Sequence, residues 1–301
     1  MELNTDWAWP WWSAMVVVNI INLFVCLTIF QRSRSAAGGL SNIISPYHKQ
    51  MLIMGLIFTL VAAYRSVFVS RYLTQFAWFD SVANSSLLIR MFAIAAEMSF
   101  AGLFAFAMLQ LNKDLPGKNH NNPLISFMAN KSPYLLILCI FVAQFFATSG
   151  LITKNNTLFA IEETLWSAGF LSILPLAFVQ FRRVLAITDE SEKQRLTMLI
   201  TSAKVVFGWC VIYCSYGLFF HLPVEFWGEG ATSAAVLIDT AMPVVDLGFS
   251  AVADAFFIVN ETKAYSDWGF GFLFWHSSYF SVCVWLAIFL MRAPRALEAK
   301  A

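Results

Sequence analysis

Residues 85–111 read SSLLIRMFAIAAEMSFAGLFAFAMLQL. As a helix rising about 1.5 Å per residue this run is about 40 Å long, more than the roughly 30 Å hydrocarbon core of a bilayer. Its only ionisable residues are Arg90 and Glu97. The run is therefore predicted to be a membrane-spanning helix, and the two charges inside it become the first functional question.

Working outward, similar apolar runs lie near 13–31, 48–67, 134–152, 159–181, 199–221, 232–259 and 268–291. The chain is accordingly predicted to be an all-α, polytopic integral membrane bundle of eight transmembrane helices, forming a single domain over residues 1–301. The alternative is seven spans, with 232–259 as a re-entrant segment because of its acids and Pro243. Composition agrees: hydrophobic residues make up 59% of the chain and charged residues 12%, with a mean hydropathy of +0.68, which excludes an ordinary soluble domain. The net charge of +1 carries no signature of a nucleic-acid partner.

The opening MELNTDWAWPWW has no Lys or Arg, so the basic region of a cleaved signal peptide is missing and the first run is expected to remain as a helix. Basic residues such as Arg32, Lys49, Lys113, Lys131, Arg182 and Arg195 fall in alternate loops. Basic loops stay cytoplasmic, which places the N-terminus on the extracytoplasmic side of a cell membrane, anchored by Trp7, Trp9, Trp11 and Trp12. With eight spans, Arg292, Arg295 and Lys300 break this rule at the C-terminal tail.

Ionisable side chains within apolar helices are costly and face a protein interior or a water-filled path. Here they are Arg90, Glu97, Lys204, Asp239, Asp246 and Asp254. Parallel third and seventh spans would put these groups at matching depths in three layers: Arg90 with Asp239, Glu97 with Asp246, and Lys204 with Asp254. Two carboxylates facing each other in a low dielectric share a proton and can exchange it. Glu162 and Glu163, with Glu225 and Glu229 in the next outer loop, read either as wetted surface acids or as an outer vestibule that concentrates cations.

Other chemistry leaves little trace. The five cysteines show no metal-binding spacing, His221 and His276 sit at different depths for haem, and no hydrolase or nucleotide motif is present, so no metal or cofactor is expected. In WGFGFLFWHSSYF, Trp268, Trp275, His276 and Tyr279 read as an interfacial aromatic belt in preference to a ligand site. Trp209, Glu225, Glu229 and Asp239 resemble scattered positions of microbial rhodopsins. Met242 and Pro243 stand where that family needs its Schiff-base lysine, so no activity is carried over.

The leading expectation is a protein that handles protons or small cations through Glu97 and Asp246, as a channel or coupled transporter. The alternatives are a membrane-embedded enzyme or lipid- or isoprenoid-binding protein using the same acids, and an accessory subunit of a larger complex. Its expected partners are the lipid bilayer and protons or small cations, with homo-oligomers or partner membrane subunits left open.

Overall fold

The computed structural model describes residues 8–37, 45–117, 123–227 and 248–296, with side chains at 34–37 outside the described set. Helices come first in every sense. In chain order they are α1 (Ala8–Ala37), α2 (Pro46–Val67), α3 (Ser86–Asp114), α4 (Pro123–Thr153), α5 (Asn156–Leu185), α6 (Glu190–Arg195), α7 (Thr197–Tyr216), α8 (Phe249–Phe257), α9 (Tyr265–Ser278) and α10 (Val284–Leu290). A π-helical stretch, Gly217–Phe226, continues α7, and another, Tyr279–Cys283, joins α9 to α10.

Among the described residues seven continuous helices are long and apolar enough to cross a membrane: α1 to α5, α7 with its π-helical extension, and α9 running through to α10. Their outer sides expose large apolar groups such as Phe24, Phe127 and Phe219, which in water would be an aggregation hazard. The fold is thus an all-α bundle of membrane type.

Local chemistry sets several helix starts. Ser45 caps α2 by accepting a hydrogen bond from His48 N at 3.3 Å, with Pro46 in the first turn, where its missing N–H costs nothing. Ser85 accepts from Leu88 N at 3.2 Å at the start of α3, and Asn155 accepts from Thr157 N at 2.9 Å at the start of α5.

We call the end of the bundle where α1, α3, α5 and α9 begin the head, and the opposite end the tail. α3 is buried around most of its circumference, as a helix apolar on all sides must be when it is central, and it packs against α2, α4, α5, α7 and α10. Toward the tail its Leu103, Phe104, Ala107, Met108 and Leu111 are all fully buried.

At the head, two-residue strands β1 (Ser70–Arg71), β2 (Phe76–Ala77) and β3 (Asn260–Glu261) form a small sheet. β1 and β2 pair antiparallel (Ser70 with Ala77), while β2 and β3 pair parallel (Phe76 with Asn260). The chain after α8 is thereby tied to the α2–α3 loop. Trp9, Trp12 and Trp78 stack at centroid distances of 4.9 to 5.8 Å beside a fully buried Trp268. Trp11 and Trp12 donate to Ser277 Oγ at 2.9 Å and to Val67 O at 3.1 Å. Trp78 and Trp268 are fully buried at the head, while Trp9 at its edge is 47% exposed; Trp7 lies outside the described residues.

The expected span at 232–259 is described only from residue 248. There α8 is nine residues long, about 14 Å at 1.5 Å per residue, too short to cross by itself. Phe226, which ends the α7 extension, and Ala255 of α8 belong to the same apolar cluster as Leu151 and Phe159. Both therefore lie at the head.

Candidate functional site

A cavity of about 880 Å³ opens into the head half of the bundle. Its mouth is polar, with Ser70, Arg71, Asn156, Asn260, Ser266 and Asp267, and its floor is aromatic, with Phe58, Phe100 and Trp209. Phe58 stacks on Phe100 at 5.0 Å, and Trp209 meets Phe100 edge-on at 6.0 Å.

Arg90 and Glu97 line this cavity, at 2% and 8% exposure. They are seven residues apart on α3, two turns along one face, and the arginine side chain spans that gap. Its Nη1 and Nη2 donate to Glu97 Oε1 and Oε2 at 3.3 and 3.2 Å. Glu162 of α5 reaches the same guanidinium, with Oε1 3.3 Å from Nη1. Gln144 of α4 completes the network: its Oε1 accepts from Arg90 Nη2 at 2.5 Å, and its Nε2 donates to Glu97 Oε2 at 3.1 Å. One guanidinium thus joins three helices through two carboxylates and an amide.

A second cluster lies on the π-helical extension of α7. His221 has Glu225 Oε2 2.5 Å from Nδ1 and Glu163 Oε2 3.4 Å from Nε2, and its ring stacks on Trp275 at 5.4 Å. Nδ1 is thus hydrogen-bonded to Glu225, whereas Nε2 is buried without a hydrogen-bond partner. Both π-helical stretches contribute to the cavity, through Glu225 and Phe226 in one and Tyr279 and Cys283 in the other. The wider helical turn re-aims side chains at functional sites.

Several sequence expectations change on this geometry. Lys204 and Asp254 do not form a layer. The turn of Lys204 carries Leu199 and Ala203, which pack on Leu111 and Val184 at the tail, whereas the carbonyl of Asp254 accepts from Gln75 Nε2 at 2.7 Å at the head. Lys204 is exposed, and neither residue lines the cavity. Glu162 is no wetted surface acid, being 6% exposed. Trp275, His276 and Tyr279 face the cavity and so are not an outer belt. Asp239, Asp246 and Glu229 lie outside the described residues, and so do their expected pairings with Arg90 and Glu97.

Gln144 and Arg65 were missed. Gln144 is the one amide in the run 134–152, a signal that a search confined to ionisable residues passes over. Arg65 sits in the last turn of α2 and reads in sequence as a loop charge, yet it is only 8% exposed. Among the described residues no group of three or more His, Cys, Asp or Glu is placed to hold a metal ion.

At the mouth, Arg71 Nη1 donates to the Asp267 carbonyl at 2.6 Å, and burial pulls this guanidinium below its ordinary range while Asp267 opposes the shift. No protein-family profile, curated protein or solved structure matches the chain, so the site rests on its own chemistry.

Proposed function

We propose that this chain is a multi-pass membrane protein whose buried carboxylates take up and release protons or a small cation from one side of the membrane. The carrying observation is the charge balance of the cavity. Among the described residues Glu97, Glu162, Glu163, Glu225 and Asp267 face three guanidiniums, Arg65, Arg71 and Arg90, and the His221 ring beside them. Even with that imidazole charged, one negative charge is left over. The Glu163 and Glu225 side chains are 17% and 35% accessible, so water screens part of this excess, and a proton or a cation offsets the rest.

The fully buried Leu103, Phe104, Ala107, Met108 and Leu111, which form one apolar stripe of α3, support exchange with the head side in preference to free conduction. This stripe spans about 12 Å at 1.5 Å per residue. We read the chain as seven spans with the head extracytoplasmic. Arg32, Lys49, Lys113, Lys131, Arg182 and Arg195 then all lie toward the tail, joined by Arg292 and Arg295, so the conflict at the C-terminal end disappears.

Proteoliposomes with an entrapped pH dye test this reading. An imposed pH gradient is expected to persist with the protein alone, while acidification from the head side is expected to load fewer protons onto Glu97→Gln and Glu162→Gln than onto the parent. Rapid collapse of the gradient, or unchanged proton loading in both variants, would overturn it. Sidedness follows from labelling Asn260→Cys and Lys193→Cys in intact cells with an impermeant maleimide, where only the former is expected to react.

A further inference from the structure

Of the arginines lining the cavity, Arg90 and Arg65 differ in their partners. Arg90 has two carboxylates, whereas Arg65 has none within 4.0 Å among the described residues. Its Nη2 donates to the Tyr72 hydroxyl at 3.3 Å, its guanidinium lies 4.7 Å over the Tyr279 ring, and its Nη1 is buried without a hydrogen-bond partner. The Tyr279 hydroxyl and Trp209 Nε1, in the same cavity, are also buried without partners. A guanidinium, a phenol and an indole N–H all donate, and buried donors left open cost stability unless an acceptor fills them.

We propose that the cavity binds a small organic carboxylate with an aromatic or apolar body, its carboxylate on Arg65 Nη1 and the Tyr279 hydroxyl. Arginine favours carboxylates because its planar fork matches their two oxygens. Phe58, Phe100, Trp209, Phe272 and Trp275 supply the apolar walls, and a volume of about 880 Å³ falls in the range of sites for small organic ligands. The polar mouth favours an acid arriving from water. Because carboxylates already outnumber cations here, an added anion brings a proton with it. That coupling, though not the ligand contact, rests on the function proposed above.

Tryptophan fluorescence of the purified protein in nanodiscs tests the assignment, with benzoate, its neutral counterpart benzamide, and dodecanoate as probes. Benzoate is expected to bind at least about tenfold more tightly than benzamide, because the amide leaves the guanidinium uncompensated. Arg65→Gln is expected to abolish that preference. Tyr279→Phe, which removes a single hydroxyl and serves if the arginine variant does not fold, is expected to weaken benzoate several-fold. Tighter binding of dodecanoate, lost in the same variants, keeps the carboxylate site and moves its source to the bilayer. No binding of either acid, equal binding of benzoate and benzamide, or benzoate binding unchanged in the variants overturns the proposal. Benzoate binding without proton uptake sinks the proton coupling alone, and proton loading on Glu97 or Glu162 without acid binding sinks the ligand alone.

Discussion

Arg90 holds Glu97, Gln144 and Glu162 on three different helices, so replacing it leaves two buried carboxylates without a counter-charge. Removing one partner of a buried ion pair costs about 3–5 kcal/mol, and Arg90→Gln is expected to lose that much in a detergent unfolding titration. Glu162→Gln keeps an acceptor for Nη1 and leaves Glu97 as counter-ion, so its cost is expected to be smaller, about 1–2 kcal/mol. Equal losses would mean that the two acids do not share Arg90. The charges of α3 are legible in sequence because an apolar run makes them conspicuous. Their pairing is half legible: a seven-residue separation puts Arg90 and Glu97 on one face, yet comparing depths between helices directs attention to Asp239 and Asp246 instead. Glu162 and Gln144 join them only through the lateral order of the helices, which periodicity does not encode.

At the scale of elements, close packing and one surface tie carry the consequences. A Cβ on Gly55 would lie 2.4 Å from Met291 Cβ, so α2 and the end of the last helix approach as closely as a bare backbone allows. Gly55→Ala is expected to cost about 1–3 kcal/mol through this overpacking, and Met291→Ala in the same chain is expected to recover part of it; an unaltered unfolding midpoint in Gly55→Ala would contradict the contact.

Glu261 of β3 accepts from Asp80 N at 3.1 Å and from Lys263 Nζ at 2.7 Å, and these partners hold its carboxyl below the usual carboxylate range. A depressed folded value means that the tie is fully present above the ordinary glutamate range, about 4.3, and is lost as pH falls through the lower folded value. Amide exchange at Asp80 is therefore expected to accelerate in strong acid, and in Glu261→Gln to show no such step. The strands involved are two residues long, too short for any alternation to announce them. An apolar run such as 232–259 likewise satisfies the length criterion whether or not the chain crosses; residues 228–247 lie outside the described residues, and of what is described Phe226 and Ala255 share one apolar cluster.

For the whole molecule, the membrane class follows from composition and run length alone, because burying about 20 apolar residues in sequence has few other uses. The one-ended character of the interior does not follow from them. It arises from α3, whose first turns carry Arg90 and Glu97 into an 880 Å³ cavity while farther along it Leu103, Phe104, Ala107, Met108 and Leu111 are fully buried. The account stands on those cavity acids changing their protonation, and infrared difference spectroscopy of the lipid-embedded protein on acidification observes that change itself. The expected result is a carboxylic acid carbonyl band in the parent, part of which is missing from Glu97→Gln and part from Glu162→Gln. Superimposable difference spectra for the parent and both variants would contradict it.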